Sequence, residues 1–414
     1  MRLFLLSAVS LIGFTGHAFA QSDASAANDP AGTVVVTAQP LTSTEAALKA
    51  CIARKCPPAE DIAATLAHAE NQFVAGAYKA ARGTLLDGRA RNLRYGRQLP
   101  EPVANLLRAN ARIGAHLGEG EVFQLDTIIA FETLRRALPA EDPRVLEAQI
   151  EQGDMFLRFG RIVPAAEAYR AVERRARAVG NSRMLGFALL RQLQMYSAIS
   201  EDSSISGLTG AVGFEGDAER AYRALTDGQN PALAEFGDAA RIVRAQSKAR
   251  SGDTKSIDTL ANEYRNRPPS DHPVLLYSPA IAVNAPGMRA LPVGNQFDEG
   301  NVLNRTTTEA TFSDQWVDIG FTILPDGTVS DVGVLRESRS FIPGWEKPVI
   351  EAYSKRRYAP NYKGGSGRMR VERVTFTARY ASLTGSRIRT RDVVPQIEIL
   401  DLTNDVDAKA NPAG

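Results

Sequence analysis

Histidine and cysteine are the residue types best suited to chemistry in this 414-residue sequence, and both are scarce. The four histidines are His17, His68, His116 and His272. They are scattered, and none lies at the spacing of a nucleophile–base pair or of a metal-binding motif. His272 does follow Ser270 and Asp271, but in a proline-flanked stretch where adjacent side chains point apart. We therefore expect no catalytic residue, no metal site and no cofactor.

Two further patterns could suggest a reaction, and neither supports one. The carboxylate pairs Glu141-Asp142 and Glu201-Asp202 stand in polar turn contexts that are typical of helix caps. The glycine-rich run at 364–367 lacks the Lys-Ser/Thr and the strand-to-helix context of a phosphate-binding loop. The sequence therefore predicts a protein that is not an enzyme.

The two cysteines, Cys51 and Cys56, are separated by four residues. In an oxidising compartment this pair favours a disulfide, whose short loop would stabilise the fold by about 2 kcal/mol. Two alternatives remain open at this point. The thiols could be free and diverge on a helix, or they could join a metal site for which His68 is the nearest further ligand.

The first 20 residues have the three parts of a secretory signal. Arg2 gives the positive charge, an apolar run extends from Leu3 to Phe14, and Ala18-Phe19-Ala20 is a small-x-small cleavage site before Gln21. The apolar run is too short to span a bilayer, and no later stretch is long and apolar enough. We expect an exported protein of the periplasm of a Gram-negative bacterium, with no membrane span after signal cleavage.

The net charge is +2, from 49 basic and 47 acidic residues. This balance argues against nucleic acid as a partner, because such binding requires a concentrated positive field. The expected partners are proteins, and the sequence alone does not indicate an oligomeric state.

Residues 45–266 are rich in alanine and arginine and carry a helical rather than a strand-like pattern. Gly76, Gly118 and Gly160 recur in it at intervals of 42 residues. A period of this size is typical of a solenoid of helical hairpins. We therefore predict an all-α solenoid over this range.

Two stretches of this region resemble the tetratricopeptide repeat family. The matching positions are Ala69, Phe73, Gly76, Tyr78, Ala81 and Leu85 in the first stretch, and Gly153, Phe156, Gly160, Ala165 and Tyr169 in the second. The small residues would let helices pack closely and the aromatic residues would fill the space between hairpins. The resemblance implies a concave groove that binds protein; the alternative is a structural spacer.

From Gln315 the pattern changes to a small α+β unit. Residues 317–323 alternate between apolar and polar, Pro325-Asp326-Gly327 favours a hairpin turn, and a second strand follows. A helix with Trp345, Val349, Ala352 and Tyr353 on one side precedes a third strand at 374–380.

This order of elements resembles the C-terminal domain of TonB, the periplasmic energy transducer of outer-membrane transporters. The matching segments are GFTILPDGTVSDVGVL, RYAP at 357–360, and VERVTFTARY. The resemblance implies that an extended peptide, the Ton box, adds as a strand beside the last strand of a small sheet. The implied binding strand consists of Arg373, Val374, Thr375, Phe376, Thr377, Ala378, Arg379 and Tyr380. Tyr358 and Pro360 would form its supporting corner, unless they are only core and turn residues.

The sequence departs from the TonB pattern at its other end. A TonB transducer keeps an N-terminal membrane helix and a proline-rich spacer, whereas this chain has a cleavable signal and helical repeats. We therefore predict a protein-binding scaffold that captures extended strands in TonB-dependent outer-membrane transport, with TonB-dependent receptors or other periplasmic proteins as partners. The alternative is an atypical TonB that transduces energy directly.

A short strand-forming segment at 33–40, TVVVTAQP, resembles a Ton box. Its residues are Thr33, Val34, Val35, Val36, Thr37, Ala38 and Gln39, before Pro40. It could pair with the chain's own last strand, it could be offered to a TonB-type domain of another protein, or its valines could cluster without such a role. The segment RDVVPQIEIL at 391–400 competes for the same edge.

The predicted architecture is therefore a tetratricopeptide-like solenoid followed by a small TonB-like α+β domain. The predicted boundaries are a signal at 1–20, a flexible leader at 21–44, helical repeats at 45–266, an extended linker at 267–309, the α+β domain at 310–383, and a C-terminal strand with a disordered tail at 384–414.

Overall fold

The computed structural model describes residues 40–201, 214–267, 272–281, 312–361, 367–382 and 389–403. Their helices, in chain order, are α1 (Leu41–Ala53), α2 (Pro58–Val74), α3 (Tyr78–Asn92), α4 (Pro100–His116), α5 (Gly120–Ala137), α6 (Pro143–Arg158), α7 (Ile162–Ala178), α8 (Ser182–Glu201), α9 (Phe214–Thr226), α10 (Ala234–Arg250), α11 (Lys255–Arg265) and α12 (Glu346–Ser354). The strands are β1 (Leu275–Tyr277), β2 (Trp316–Ile323), β3 (Val329–Glu337), β4 (Arg357–Tyr358), β5 (Arg368–Ser382) and β6 (Arg389–Asp401).

Helices α2 to α7 form three successive antiparallel hairpins, which we call hairpin 1 (α2 and α3), hairpin 2 (α4 and α5) and hairpin 3 (α6 and α7). The first helix of each hairpin begins with a proline, at Pro58, Pro100 and Pro143. Proline suits this position because the first turn needs no N–H donor and the ring fixes a helical φ.

The prediction of a helix-rich region followed by a small sheet region is confirmed.

The 42-residue period corresponds to the turn inside each hairpin. Gly76, Gly118 and Gly160 have φ angles of +82°, +73° and +70°, which an L side chain rarely adopts. The residue after each glycine donates its N–H five residues back, from Ala77 to Gln72, from Glu119 to Gly114 and from Arg161 to Phe156, at 2.7–2.9 Å. This is the Schellman closure, which satisfies carbonyl groups at a helix C-terminus.

The main sheet has four antiparallel strands in the order β3-β2-β5-β6. Gly327, at φ +83°, closes the β2–β3 hairpin as predicted. Val317, Ile319 and Phe321 of β2 face α12, where they share a buried core with Trp345 and Tyr353. A separate two-stranded sheet joins β1 to β4.

The opposite face of the main sheet packs against the helical hairpins. Trp316 belongs to the core of the helices, and a Cβ on Gly76 would lie 2.4 Å from its ring. Asp318, Thr375 and Thr377, on the polar face of the alternation, are therefore buried and not solvent-exposed. The sheet lies between α12 and the C-terminal ends of α2, α4 and α6.

Candidate functional site

The predicted binding strand, residues 373–380, is not an edge of the sheet. It lies within β5, which pairs with β2 on one side and with β6 on the other. Partners on β6 run from Asp401, opposite Glu372, to Pro395, opposite Ala378. The tail segment that competes for this edge in the sequence occupies it, so the prediction of a free edge at 373–380 is wrong.

Strand β6 is anchored by its side chains as well as by its backbone. Ile397 and Ile399 pack against the core under α12, and Leu400 packs against the core of the helices. Glu398 forms an ion pair with Arg158 at the C-terminal end of α6. Displacing β6 would expose these side chains and break the pair, so a peptide could not readily take its place.

The side chains of β5 that face the helices form a buried polar cluster. The Thr375 hydroxyl lies 2.8 Å from the Tyr78 hydroxyl and 2.9 Å from Nδ1 of His116. Burial raises the pKa of Tyr78 to about 12 and lowers the pKa of His116 to about 4. Both groups are therefore neutral at physiological pH, and this cluster holds β5 to hairpins 1 and 2.

A buried ion pair lies beside this cluster. Arg373 and Asp318 are both 0% exposed, and Nε of Arg373 lies 2.6 Å from Oδ1 of Asp318. The Arg373 guanidinium also donates to the carbonyl groups of Phe73 and Val74 at the end of α2, at 3.1 and 2.7 Å. A cation at this position satisfies free carbonyl groups and complements the negative end of the helix dipole.

Hairpins 2 and 3 also contact the sheet through carbonyl groups at or just after the C-terminal ends of their first helices. The N–H of Tyr380 donates to the Gly118 carbonyl at 2.9 Å, and Arg379 donates to the Arg158 carbonyl at 2.7 Å. Burial would raise the pKa of Glu398, but the charge and hydrogen bonds of Arg158, together with the charge of Arg379, hold it below its usual range. Arg373 to Tyr380, expected to bind a peptide, therefore attach the sheet to the helices.

The sequence did not predict this interface, because polar side chains on one face of a strand were interpreted as solvent-exposed. One signal could have indicated it. Asp318 and Arg373 place opposite charges on the polar faces of two predicted strands, and the structure pairs these two residues with each other. Such a pair is compatible with burial against another element.

Tyr358 and Pro360 are buried, but Tyr358 lies on β4, which pairs with β1 and not with β5. The N–H of Tyr358 donates to the Gly327 carbonyl at 2.8 Å, and the N–H of Asn361 donates to the Pro325 carbonyl at 2.8 Å. The chain at 358–361 therefore supports the β2–β3 turn, and the prediction that Tyr358 and Pro360 form a corner of the last strand is wrong.

Strand β3 is one of the two outer strands of the sheet, and its edge is irregular. Its pairing with β2 shifts register twice, and Asp331 has a φ of +52°. Such bulges, together with Arg336 and Glu337 at the end of the strand, are features that oppose the addition of another strand. Leu335 is 51% exposed but lies over Gly320, on the sheet's face rather than along its edge.

Strand β6 is the other outer strand, and residues 396–401 pair with β5 without a register shift. The N–H of Phe376 donates towards β2, so alternate residues of β5 direct their backbone groups towards β6. This register directs the N–H and C=O groups of Ile397 and Ile399 away from β5. Within the described residues no strand pairs with that side, which makes it the candidate site for strand addition.

The remaining predicted residues lie elsewhere. The predicted Cys51–Cys56 disulfide is present and joins the end of α1 to the start of α2. Thr33, Val34, Val35, Val36, Thr37, Ala38 and Gln39 lie outside the described residues. Over the described ranges, no group of His, Cys, Asp and Glu is placed to hold a metal ion, and every helix is too short or too polar to cross a membrane.

A comparison of the chain with protein-family models, with curated proteins and with solved structures found no match.

Proposed function

We propose that this protein binds extended segments of other proteins by strand addition at the outer edge of β6. This proposal is supported by the position and regular pairing of residues 396–401. They belong to an outer strand of the four-stranded sheet, pair with β5 without a register shift, and direct the N–H and C=O groups of alternate residues away from β5. Strand addition gives affinity through the main chain and selectivity through alternate side chains. The proposed site is one strand further out than the TonB resemblance implies.

The attachment of the sheet to the helices supports this role. A strand that must receive a peptide in one register benefits from a rigid foundation, since less ordering is then needed on binding. Arg373, Thr375 and Glu398 provide that foundation through buried contacts to hairpins 1, 2 and 3. The hairpins, in our proposal tetratricopeptide-like, act as a scaffold and not as a catalytic domain.

The resemblances suggest the setting. A secretory signal at 1–20 would direct the protein to the periplasm, and the TonB-like order of strands and helix points to partners in outer-membrane transport. TonB-dependent receptors and other periplasmic proteins are the proposed partners. No cofactor is needed, because main-chain hydrogen bonds and side-chain packing supply the recognition.

The test is selection of ten-residue peptides from a displayed random library, followed by titration of the selected peptides. We expect peptides rich in β-branched residues, and slower hydrogen exchange at Ile397 and Ile399 when they bind. Ile397→Pro removes one N–H group that points away from β5 and leaves the hydrogen bonds between β5 and β6 in place. It should weaken peptide binding at least about tenfold, because one or more hydrogen bonds to the peptide are lost.

The matched control is Val332→Pro on β3. Val332, like Ile397, is partly buried against the core under α12, and it lies at the register shift between Ser330 and Gly333, where no residue of β2 is its partner. This variant should bind the selected peptides as the unmodified protein does. Equal binding by both variants, or no selected peptide at all, would contradict the proposal.

A further inference from the structure

Pro40, the first residue that the structure describes, lies at the same end of the sheet as Leu400 of β6. It begins α1, and Thr44 of that helix contacts the last two turns of α2. At the end of α2, the carbonyl of Phe73 accepts from Arg373 of β5, whose partner on β6 is Leu400. Hairpin 1 therefore brings the start of α1 close to the C-terminal end of the β6 edge.

Residues 33–38, which come just before this point in the sequence, suit that edge chemically. They are uncharged, and Val34 and Val36 have the same spacing as Ile397 and Ile399. β-branched residues of this kind favour strands. Beside Ile397 and Ile399, the two valines would extend the apolar row that β6 contributes to the core under α12.

The position of Pro40 determines the direction in which this segment can pair. From Leu400, β6 leads back towards hairpin 3, where Glu398 contacts the end of α6. A segment that follows this edge away from Pro40 therefore runs parallel to β6, with Thr33 beside Gln396.

Antiparallel pairing does not fit the length of the connection. It would place Ala38 beside Gln396 instead of Asp401, five strand residues or roughly 17 Å further from Pro40. The two Cα–Cα steps from Ala38 to Pro40 span less than about 8 Å.

The same short connection favours the edge of the same molecule over the edge of a second copy. A short flexible linker holds a binding segment at an effective concentration in the millimolar range. When the protein itself is micromolar, the segment therefore meets its own edge far more often than the edge of another copy.

We propose that residues 33–38 pair in parallel with residues 396–401 of the same molecule and compete with the peptides that the β6 edge binds. This inference rests on the proposed function and names a regulation of that site. A peptide must displace the segment, so its apparent affinity is reduced in proportion to the fraction of molecules whose edge is free.

The test uses the protein from Gln21 and two deletion variants of equal length. One lacks residues 33–38; the matched control lacks residues 23–28 and keeps the segment with its connection to α1. Hydrogen exchange at Ile397 and Ile399 should be slow in the unmodified protein and in the control. It should become at least about tenfold faster without residues 33–38, and the protection should not depend on concentration while the protein sediments as a monomer.

Two further measurements test the direction of pairing and the competition. A photoreactive residue at position 33 should cross-link within one chain to residues around Gln396, whereas antiparallel pairing would place it beside Asp401. Peptides selected from the library should bind the variant without residues 33–38 at least about tenfold more tightly than they bind the control, as expected if the edge is free in at most about a tenth of the molecules.

Equal exchange at Ile397 in all three proteins, or protection that appears only as the concentration rises, would overturn the inference. A cross-link to Asp401 would overturn the parallel direction. Library peptides that bind both deletion variants equally and depend on Ile397 would leave the proposed function intact without a competitor. Strong protection with no peptide bound by any of the three proteins would instead contradict the proposed function and leave the segment as a cap of the edge.

Discussion

At the scale of single residues, the contact between sheet and helices depends on buried polar groups that must stay neutral or paired. Thr375 contacts both Tyr78 and His116, and its hydroxyl can donate one hydrogen bond while accepting another. The His116 ring also packs edge-on against Phe73, with ring centroids 4.9 Å apart. A proton added to His116 would place a charge in this enclosed site, near the cations Arg112, Arg158 and Arg373.

This environment predicts a stability loss in acid. Burial lowers the pKa of His116 from 6.5 to about 4, so the unfolded state binds the proton more readily. The stability that neutral His116 provides is complete above pH 6.5 and is lost as the pH falls towards 4, by at most about 3 kcal/mol. Urea unfolding between these pH values should show this slope, and His116→Gln should flatten it.

His68→Gln is the matched control, since His68 is also buried on a helix but lies away from the sheet. That variant retains His116 and should keep the slope. An unchanged slope in His116→Gln would show that His116 does not carry the effect.

At the scale of elements, the three glycine turns share one backbone conformation but have different surroundings. A Cβ on Gly76 would meet Trp316 at 2.4 Å, whereas no atom lies within 4 Å of a Cβ on Gly160. The first turn is therefore constrained by its φ and by its neighbour, and the third by its φ alone.

We expect Gly160→Ala to cost about 1–2 kcal/mol, the penalty for a left-handed conformation. Gly76→Ala should cost more, by about 1–3 kcal/mol, because Trp316 must also move. Chemical denaturation of both variants measures the difference, and loss of near-ultraviolet circular dichroism from Trp316 should accompany only Gly76→Ala. Equal costs would mean that the sheet does not press on this turn.

The sequence predicts the elements better than it predicts their neighbours. Alternation at 317–323 and the Pro-Asp-Gly turn indicate the β2–β3 hairpin because both are local features. The edge status of β5 depends on whether residues 391–400 fold back on it, which is a long-range event. An alternating apolar–polar pattern does not show whether its polar face, here with Thr375 and Arg373, is exposed to solvent or packed against another element. Buried polar pairs and solvated polar side chains have the same sequence pattern.

At the scale of the whole molecule, helices and sheet are coupled through contacts that neither can satisfy alone. Without the sheet, the ends of α2 and α6 would lose the guanidinium donors of Arg373 and Arg379. Without the helices, Arg373 and Trp316 would be exposed. The 42-residue period predicts the hairpins, but it does not predict that the three hairpin turns together contact one sheet. A sequence period carries no information on which element packs against the repeats.

This coupling predicts a single unfolding transition by calorimetry. Asp318→Asn leaves the buried charge of Arg373 without its carboxylate, and should destabilise the protein by about 3–5 kcal/mol. The transition should then broaden or separate into helical and sheet components, monitored by circular dichroism and by the fluorescence of Trp316 and Trp345, the two tryptophans of the chain. Glu351→Gln, which breaks the exposed Lys355 pair on α12, should leave one transition at an unchanged temperature; separate transitions in the unmodified protein would contradict the coupling.

The contacts of three successive hairpins with one sheet also limit how this protein can change in evolution. Arrays of repeated helices generally gain or lose whole units, since each unit contacts only its neighbours. Here Trp316, Tyr380 and Glu398 meet the first, second and third hairpin in turn. Duplicating or deleting one 42-residue unit within this row would shift every later anchor point, so we expect the length of this part of the array to be fixed by the width of the sheet.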